Sequence, residues 1–388
     1  MPINKVLILY LQAGGGHKSN AIALKNTLQS YKPELEVELF DFGLKGPIKE
    51  TSYTWLTEKA KPLWHAISIL GKNKLIIRLC NFLFQIFYKK IIKKKALEFQ
   101  PDLVLNTYYF SASTINNLLP LLPNLSPNHN ITAVTDTWSA PSIWFSNPSL
   151  QYLVFSDNAF ERGINCDIKS ANLIKANYFF DSKFNQEMST EEINQFLSSK
   201  KLQTNLDNIV ILGGGGSMPD GDKIFLELVK KLESSNQSEQ NPQKLFQIIC
   251  ICGRNQTLYN LCLEIKNKLP EKLQKLILIE GFTTQVYEYL NSAKIVISKA
   301  GPASILEITA LKKPIIISSY IWEQELANKD FVIGNQIGIY EINPNLIATQ
   351  TIEIINNQSK YQAFKNKLNA LNIQSNNQQI ASLCLTLP

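Results

Sequence analysis

The chain has 388 residues, of which 45% are hydrophobic and 18% are charged. This length and apolar content are sufficient for two α/β domains with separate cores, and they exclude a chain that is disordered throughout. The first ten residues, MPINKVLILY, have the pattern of a buried strand with no cleavage region after it. We therefore expect a cytoplasmic protein without a secretory leader.

The positive charge is concentrated in the N-terminal half. Residues 1–180 contain 19 Lys and Arg against 12 Asp and Glu, whereas residues 181–388 contain 20 of each sign. The whole net charge of +7 therefore lies in the first half. This asymmetry predicts an anionic partner for that half.

Two sets of short apolar runs alternate with helix-length segments, which is the pattern of parallel sheets. The first set comprises residues 5–11, 103–106, 131–135 and 151–155, and the second comprises residues 208–212, 245–252, 276–279, 295–298 and 314–318. The pattern predicts an α/β protein of two doubly wound domains: an N-terminal domain over 1–180, a polar linker over 181–206 and a C-terminal domain over 207–388. We predict that the last helix, placed at Ile352 to Leu371, crosses back to the N-terminal domain.

Six cysteines are scattered along the chain. The only close pair, Cys250 and Cys252, lies on one face of an apolar strand, and no second Cys or His pair follows at ligand spacing. We interpret these cysteines as reduced core thiols in preference to a metal site.

The first apolar run leads into a glycine loop, Gly14-Gly15-Gly16, followed by His17 and the start of a helix. Glycines allow a tight turn and close approach of a ligand, and the helix N-terminus offers free N–H groups. The lysine of a nucleotide-binding P-loop is missing, which disfavours an ATPase. His17 is a candidate general base that removes a proton from a hydroxyl, and the alternative is a histidine that only caps the helix.

A second glycine loop follows the run 208–212, and three further segments each include or follow a strand end. The segments are Gly253-Arg254, Gly281-Phe282-Thr283 and Gly301-Pro302-Ala303-Ser304 with Glu307. The last segment begins a helix whose N–H groups are suited to a phosphate, and Glu307 lies one turn later, where a carboxylate can accept ribose hydroxyls.

These segments, together with the stretch from Tyr320 to Asn328, resemble the monogalactosyldiacylglycerol synthases of glycosyltransferase family 28. More distantly, the chain is similar to the peptidoglycan N-acetylglucosaminyltransferase and to processive diacylglycerol glucosyltransferases. The resemblance implies a GT-B fold, with two Rossmann-like domains facing across a cleft. It also implies an inverting transferase that binds a UDP-sugar in the C-terminal domain and moves a hexose to diacylglycerol or a related lipid.

The resemblance also assigns roles by position. His17 would be the general base, Glu307 would bind the ribose, and the backbone around Phe282 would read uracil. The remaining donor-side residues are Gly214, Gly215, Gly216, Ser217, Gly253, Arg254, Gly281, Thr283, Gly301, Pro302, Ala303, Ser304, Gln324, Glu325 and Asn328. Of these, Gly214 to Ser217 and Gly301 to Ser304 would hold the diphosphate, and Gln324 and Glu325 the sugar hydroxyls. The acceptor-side residues are Gly15, Gly16, Asp136 and Trp144.

The chain departs from the family mainly on the acceptor side. Pro141 occupies a histidine position, Tyr108-Tyr109 follows Pro101-Asp102 where a histidine-proline pair is expected, and Ala176-Asn177-Tyr178 replaces a Gly-x-Pro. Near the sugar segment, Glu323 and Ala327 replace two glycines. Three hypotheses follow: transfer to a lipid, transfer to another acceptor such as a polyprenyl-linked sugar, and a degenerate UDP-sugar-binding protein without activity.

Residues 62–95 interleave aromatic and basic side chains. The aromatic residues are Trp64, Phe82, Phe84, Phe87 and Tyr88, and the basic residues include Lys89, Lys90, Lys93, Lys94 and Lys95. The apolar part is too short to span a bilayer, so we predict peripheral docking on an anionic membrane. The alternative is an ordinary pair of helices packed on the first domain. No nucleic-acid module accompanies the segment, which disfavours nucleic acid as the partner.

Helix N-termini can stabilise a leaving diphosphate without a cation, so we expect no metal and no cofactor beyond the UDP-sugar substrate. The sequence does not decide whether the donor sugar is galactose or glucose, and it does not decide the oligomeric state.

Overall fold

The computed structural model describes residues 2–11, 16–45, 73–213, 218–237, 245–321 and 323–387. The chain forms two compact units. Unit 1 comprises Met1–Ser182, Trp322–Ala327 and Gln374–Pro388, and unit 2 comprises Lys183–Ile321 and Asn328–Ile373. Among the predicted residues, Gly15, Trp64 and the loop Gly214 to Ser217 lie outside the described ranges.

Unit 1 contains a six-stranded parallel sheet with strand order β2-β1-β3-β4-β5-β6. Its strands are β1 (Lys5–Tyr10), β2 (Glu36–Asp41), β3 (Leu103–Asn106), β4 (Asn130–Ala133), β5 (Gln151–Val154) and β6 (Leu173–Lys175). Its helices are α1 (Gly16–Tyr31), α2 (Lys74–Phe99), α3 (Ser111–Asn116), α4 (Asp157–Asn165) and, at the end of the chain, α14 (Asn377–Leu385). Strands β1, β3, β4 and β5 are almost entirely buried because helices cover both faces of the sheet, whereas the edge strands β2 and β6 are partly exposed.

Unit 2 repeats this architecture, with strand order β12-β11-β10-β7-β8-β9. Its strands are β7 (Asp207–Leu212), β8 (Phe246–Ile251), β9 (Ile277–Glu280), β10 (Ala293–Lys299), β11 (Ile315–Ser319) and β12 (Gly338–Tyr340). Its helices are α5 (Thr190–Ser199), α6 (Gly221–Gln237), α7 (Gln256–Asn267), α8 (Glu271–Gln274), α9 (Val286–Ser292), α10 (Pro302–Ala310), α11 (Leu326–Gly334), α12 (Pro344–Asn356) and α13 (Gln358–Leu371).

The segment expected as a linker is folded onto unit 2 from Lys183 onward. Ser189 and Glu192 form a reciprocal capping box at the start of α5, which fixes that helix at a sharp boundary. Phe196 of α5 then packs edge-on against Tyr289, with ring centroids 4.9 Å apart. Much of the expected linker is therefore part of the packing of unit 2.

The C-terminal helices differ from the single helix expected over 352–371. The structure divides this range at Asn357, which caps the start of α13, and both α12 and α13 belong to unit 2. The helix that joins unit 1 is α14, whose Ile380, Ala381 and Cys384 are buried in the core beside α1. The expectation located the crossing helix too early, because the break at Asn357 lies inside a continuous amphipathic pattern.

Gly338 provides a test of the packing in unit 2. A Cβ at this position would lie 2.1 Å from the carbonyl oxygen of Ile315, whereas a Cβ at Gly334 would meet nothing within 4 Å. We expect Gly338→Ala to lower the free energy of unfolding by at least about 2 kcal/mol, because β11 and β12 must separate to admit the methyl group. Gly334→Ala is the matched control and should lie within about 1 kcal/mol of the parent. Denaturant unfolding monitored by circular dichroism measures both, and equal effects of the two variants would contradict this packing.

Candidate functional site

Each sheet reverses its strand order at one place. In unit 1 the reversal lies between β1 and β3, and in unit 2 it lies between β7 and β10. Chains leaving two such strands turn to opposite sides of the sheet and leave a crevice at the strand carboxyl ends, where ligands bind in open α/β folds. His17 follows β1, and Gly213 and Gly301 follow β7 and β10. The predicted loops therefore lead from the reversal points of both sheets.

His17 lies in the first turn of α1 and is 9% exposed. The hydroxyl of Thr107 donates a hydrogen bond to the His17 carbonyl oxygen at 3.2 Å, which ties the helix start to the end of β3. Burial lowers the pKa of the imidazole to about 4, partly opposed by a hydrogen bond with the Thr107 backbone. The side chain is consequently neutral at physiological pH, as a proton acceptor must be.

Three aromatic rings surround this part of unit 1. The imidazole of His17 lies 5.6 Å from the ring of Tyr108 and 5.9 Å from that of Trp144, measured between centroids. The hydroxyl of Tyr108 donates to that of Tyr109 at 3.0 Å, and burial raises the pKa of Tyr109 to about 12. Sequence reasoning noted the two tyrosines only as departures from the family. The two tyrosines follow β3, which pairs with β1, the strand that leads to His17. Their position in the sequence could therefore have predicted that they lie near His17.

Asp136 is a buried carboxylate, 6% exposed, to which the Trp144 indole N–H donates a hydrogen bond at 2.8 Å. Burial raises the pKa of Asp136 to about 6. Hydrogen bonds from Trp144 and Gln324 oppose this rise, and the negative charge of Glu325 adds to it. Trp144 is itself fully buried, so its role here is to position Asp136.

The segment predicted to contact the sugar is divided between the two units. Gln324 and Glu325 belong to unit 1, where Gln324 hydrogen-bonds Asp136. Asn328 belongs to unit 2, is fully buried, and donates from its amide to the Ala300 carbonyl oxygen at 2.8 Å. Asn328 thus holds the loop that precedes α10. The backbone at Glu323 is left-handed, with a φ of 60°. This chain therefore has a glutamate in a conformation that favours glycine, at the position where the family carries a glycine.

In unit 2, the other predicted donor residues lie at the carboxyl edge of the sheet. The loops after β10, β7, β8 and β9, which are neighbouring strands in that order, begin near Gly301, Gly213, Gly253 and Gly281. Gly253 has a φ of 60°, a left-handed turn that glycine adopts without strain. Their role in binding stays a prediction, but the fold gathers them at one edge.

The start of α10 has the features of an anion site. Gly301 is the N-cap and makes no side-chain capping hydrogen bond, and Pro302 is the first helical residue. The N–H groups of the first turn are therefore not occupied by a capping side chain, and the helix dipole favours negative charge there. Ser304 lies in this turn, and the half-buried Glu307 lies one turn further along.

Arg254 and Phe282 form a pair on the loops after β8 and β9. The Arg254 guanidinium carbon lies 4.8 Å from the centroid of the Phe282 ring. The Phe282 side chain is 63% exposed. An exposed aromatic ring held by a stacked cation is a suitable platform for a planar base.

The exposed face of α2 differs from the aromatic face predicted for residues 62–95. Phe84 and Tyr88 are buried in the core of unit 1, whereas Phe82 and Phe87 of the same helix are exposed. Lys95, which was predicted to face the membrane, also differs from the prediction, because it forms an ion pair with Glu38 and its side chain is only 19% exposed. Lys89, Lys90, Lys93 and Lys94 are exposed as predicted. Among the described helices, none combines the length and apolarity needed to cross a bilayer.

Cys262 joins the predicted core thiols Cys250 and Cys252. The three sulfur atoms lie within 4.8 Å of one another. In the described part of the chain, this is the one group of three or more His, Cys, Asp or Glu side chains close enough to hold a metal ion. Sequence reasoning missed Cys262 because it lies on α7 and meets the strand only in the folded unit.

The raised pKa of Asp136 gives a testable pH dependence. The folded protein holds this proton more tightly than the unfolded chain, so its contribution to stability is present below about pH 4 and is lost as the pH rises through about 6. Asp136→Asn stays neutral and keeps an acceptor for Trp144. We expect it to gain about 1–3 kcal/mol relative to the parent between pH 4 and pH 8.

Urea unfolding at pH 4, 6 and 8 measures this difference. The control is Glu161→Gln on the exposed side of α4, which removes one charge without burial and should show no such trend. A constant difference between Asp136→Asn and the parent at all three pH values would contradict a buried carboxylate with a raised pKa.

Comparisons with known proteins agree with this architecture. Residues 208–326 match the Glycosyltransferase family 28 C-terminal domain. The chain is 26% identical over 380 residues to the chloroplastic monogalactosyldiacylglycerol synthase of Spinacia oleracea, covering 96% of this chain and 68% of the spinach protein. The chain spans about two thirds of the length of such curated relatives.

Solved structures show the same fold. A glycosyltransferase from Rickettsia africae superimposes with a TM-score of 0.57 at 14% identity, covering all of both chains. Anabaena HepE, solved with UDP and glucose, superimposes with a TM-score of 0.56 at 13% identity, covering 99% of this chain and 100% of HepE. The predicted GT-B fold of two Rossmann-like domains is confirmed. The predicted enzyme class and family resemblance are confirmed as well: the chain is a glycosyltransferase homologous to the monogalactosyldiacylglycerol synthases and carries a glycosyltransferase family 28 C-terminal domain.

Proposed function

We propose that this glycosyltransferase transfers a hexose, galactose or glucose, from a UDP-sugar to the free hydroxyl of diacylglycerol or a related lipid at a membrane surface. The observation that carries the proposal is a neutral, buried His17 at the reversal point of the unit 1 sheet, in a chain homologous to lipid galactosyltransferases over nearly its whole length. The assignment of a UDP-sugar as the donor is supported by the glycine-containing loops at the carboxyl edge of the unit 2 sheet.

In the proposed reaction, His17 accepts the proton of the acceptor hydroxyl as its oxygen attacks the anomeric carbon. Attack opposite the leaving UDP inverts the configuration at that carbon. The lowered pKa of His17 ensures that the imidazole is free to accept a proton at neutral pH. Asp136, with its pKa raised to about 6, is largely ionised there and stabilises the imidazolium that forms.

Charge on the departing diphosphate is stabilised by the uncapped start of α10. The pair of Arg254 and Phe282 supports the uracil ring, and Glu307 accepts ribose hydroxyls. No metal ion is required for these steps, because helix N–H groups supply the electrostatic stabilisation.

A His17→Ala variant tests the base. We expect its kcat to fall by at least about 100-fold, because general base catalysis contributes about 10²–10⁴. Its affinity for UDP should be unchanged, because the residues proposed to bind the UDP part of the donor lie in unit 2. Transfer is measured with radiolabelled UDP-galactose or UDP-glucose and diacylglycerol vesicles, and UDP binding by calorimetry.

His129→Gln is the matched control. His129 is the other described histidine of unit 1, and its ring nitrogen Nε2 lies 3.0 Å from the Leu387 carbonyl oxygen, away from the strand ends that frame His17. Full turnover in His17→Ala would assign the base to another group. Absence of lipid product with either donor would refute the lipid acceptor, and product with a polyprenyl-linked sugar instead would replace it.

The membrane surface in this proposal is the exposed face of α2. Leu75, Leu79, Phe82, Leu83, Ile86 and Phe87 are between 44% and 71% exposed, at spacings that place them along one side of the helix. Lys89, Lys90 and Lys93 continue that side toward the C-terminal end. An apolar face followed by lysines suits insertion at the headgroup boundary of an anionic bilayer, where each lysine contributes about 1 kcal/mol.

Vesicle co-sedimentation tests this surface. We expect Leu79→Ser/Phe82→Ser/Ile86→Ser to lose binding to all vesicles. Lys89→Gln/Lys90→Gln/Lys93→Gln should lose about 10–100-fold only on vesicles containing phosphatidylglycerol, because phosphatidylcholine carries no net charge.

The control is Leu121→Ser/Ile164→Ser, which removes two exposed apolar side chains of unit 1 that lie outside α2. Its binding should equal that of the parent. Retained binding in the triple serine variant would show that α2 is not the docking surface.

A further inference from the structure

Cys250, Cys252 and Cys262 form a compact group of sulfur atoms inside unit 2. Cys250 lies in β8 and Cys252 directly follows that strand, so their side chains share one face. Cys262 lies on α7, whose buried side points to that face. The Sγ atom of Cys250 is 3.7 Å from that of Cys252 and 3.9 Å from that of Cys262.

These separations have the dimensions of a metal-thiolate site. An ion bonded to sulfur at about 2.3 Å in tetrahedral geometry keeps its sulfur ligands about 3.8 Å apart. The observed separations of 3.7 and 3.9 Å therefore need little adjustment. Three sulfurs on a strand and a helix of one hydrophobic core are also held by packing, so the geometry is formed before an ion arrives.

The group also has chemistry that favours a cation. Soft thiolate ligands select closed-shell thiophilic ions such as Zn²⁺ and Cu⁺ over Mg²⁺ or Ca²⁺.

We propose that Cys250, Cys252 and Cys262 bind one thiophilic d¹⁰ metal ion, Zn²⁺ or Cu⁺, as a structural site of unit 2. Binding forms three metal–sulfur bonds and releases the thiol protons to solvent. Three thiolates leave a net charge of −1 around Zn²⁺ and −2 around Cu⁺, so the apolar surroundings favour Zn²⁺. The site is independent of the proposed sugar transfer.

The site has a structural consequence at the sheet edge. Cys252 immediately precedes Gly253, and the Cys252 carbonyl oxygen accepts a hydrogen bond from the Asn255 N–H that closes this turn. The N–H of Gly213, at the end of the neighbouring strand β7, donates a hydrogen bond to the Ile251 carbonyl oxygen at 3.0 Å. An ion on Cys250, Cys252 and Cys262 would join the end of β8 to α7 and stabilise both turns.

Metal titration of the full chain tests the proposal. The protein is reduced, freed of metal with a chelator, and titrated anaerobically with Zn²⁺ or Cu⁺ in competition with a chromogenic chelator. Co²⁺ provides a spectroscopic probe, because thiolate coordination gives a sulfur-to-cobalt charge-transfer band. We expect one equivalent of Zn²⁺ or Cu⁺ per chain, the cobalt band, and a higher thermal midpoint with the ion bound.

Cys262→Ala is the test variant, since alanine is small and apolar enough for the core. It should weaken binding by more than about 100-fold, because losing a residue that only supports a ligand already costs about 10–100-fold. Circular dichroism establishes that it folds. Cys166→Ala, in unit 1, is the matched control and should bind like the parent. Sub-stoichiometric binding without the cobalt band, or undiminished binding in folded Cys262→Ala, would overturn the proposal.

Discussion

The constraint on which the other features depend is that both sheets are entirely parallel. Parallel strands all end at the same edge, so every loop that follows a strand in one unit opens on one side. The reversal between β1 and β3 brings His17 beside Thr107 and Tyr108, and in unit 2 the loops that begin at Gly213 and Gly301 follow the neighbouring strands β7 and β10. His17 and Thr107, which are 90 positions apart along the chain, become neighbours through this one topological rule.

Burial acts on the two titratable groups of unit 1 in opposite directions. It disfavours the charged form of each, so it lowers the pKa of His17 to about 4 and raises that of Asp136 to about 6. The resulting pKa values leave a neutral imidazole and an anionic carboxylate above about pH 6. In the proposed mechanism, the same apolar surroundings, which include Trp144, Tyr108 and Tyr109, therefore provide both the neutral base and the anionic carboxylate.

Local patterns in the sequence predict much of this arrangement. Apolar runs ending in glycine identify the central strands and their loops, because a buried parallel strand and a tight turn each have a local signature. The edge strands β2, β6 and β12 were not predicted, since β6 and β12 have three residues each and β2 mixes apolar and acidic residues without a continuous buried run. The pairing of Asp136 with Gln324, and that of Cys262 with Cys250, depend on contacts that span long stretches of chain, and no periodicity encodes them.

The replacement of a family histidine by Pro141 has a structural explanation that bears on the chemistry. Pro141 precedes the short 3₁₀ helix Ser142–Phe145, which carries Trp144, and its fixed φ suits the start of that helix. Ala140 before it has a φ of 33°, so the backbone turns sharply here. The position thus helps to place the indole that hydrogen-bonds Asp136 and contributes no proton-transfer group of its own. In the proposed mechanism, acid–base chemistry in this part of unit 1 is therefore left to His17 and Asp136, with the neighbouring Tyr109 kept protonated by burial.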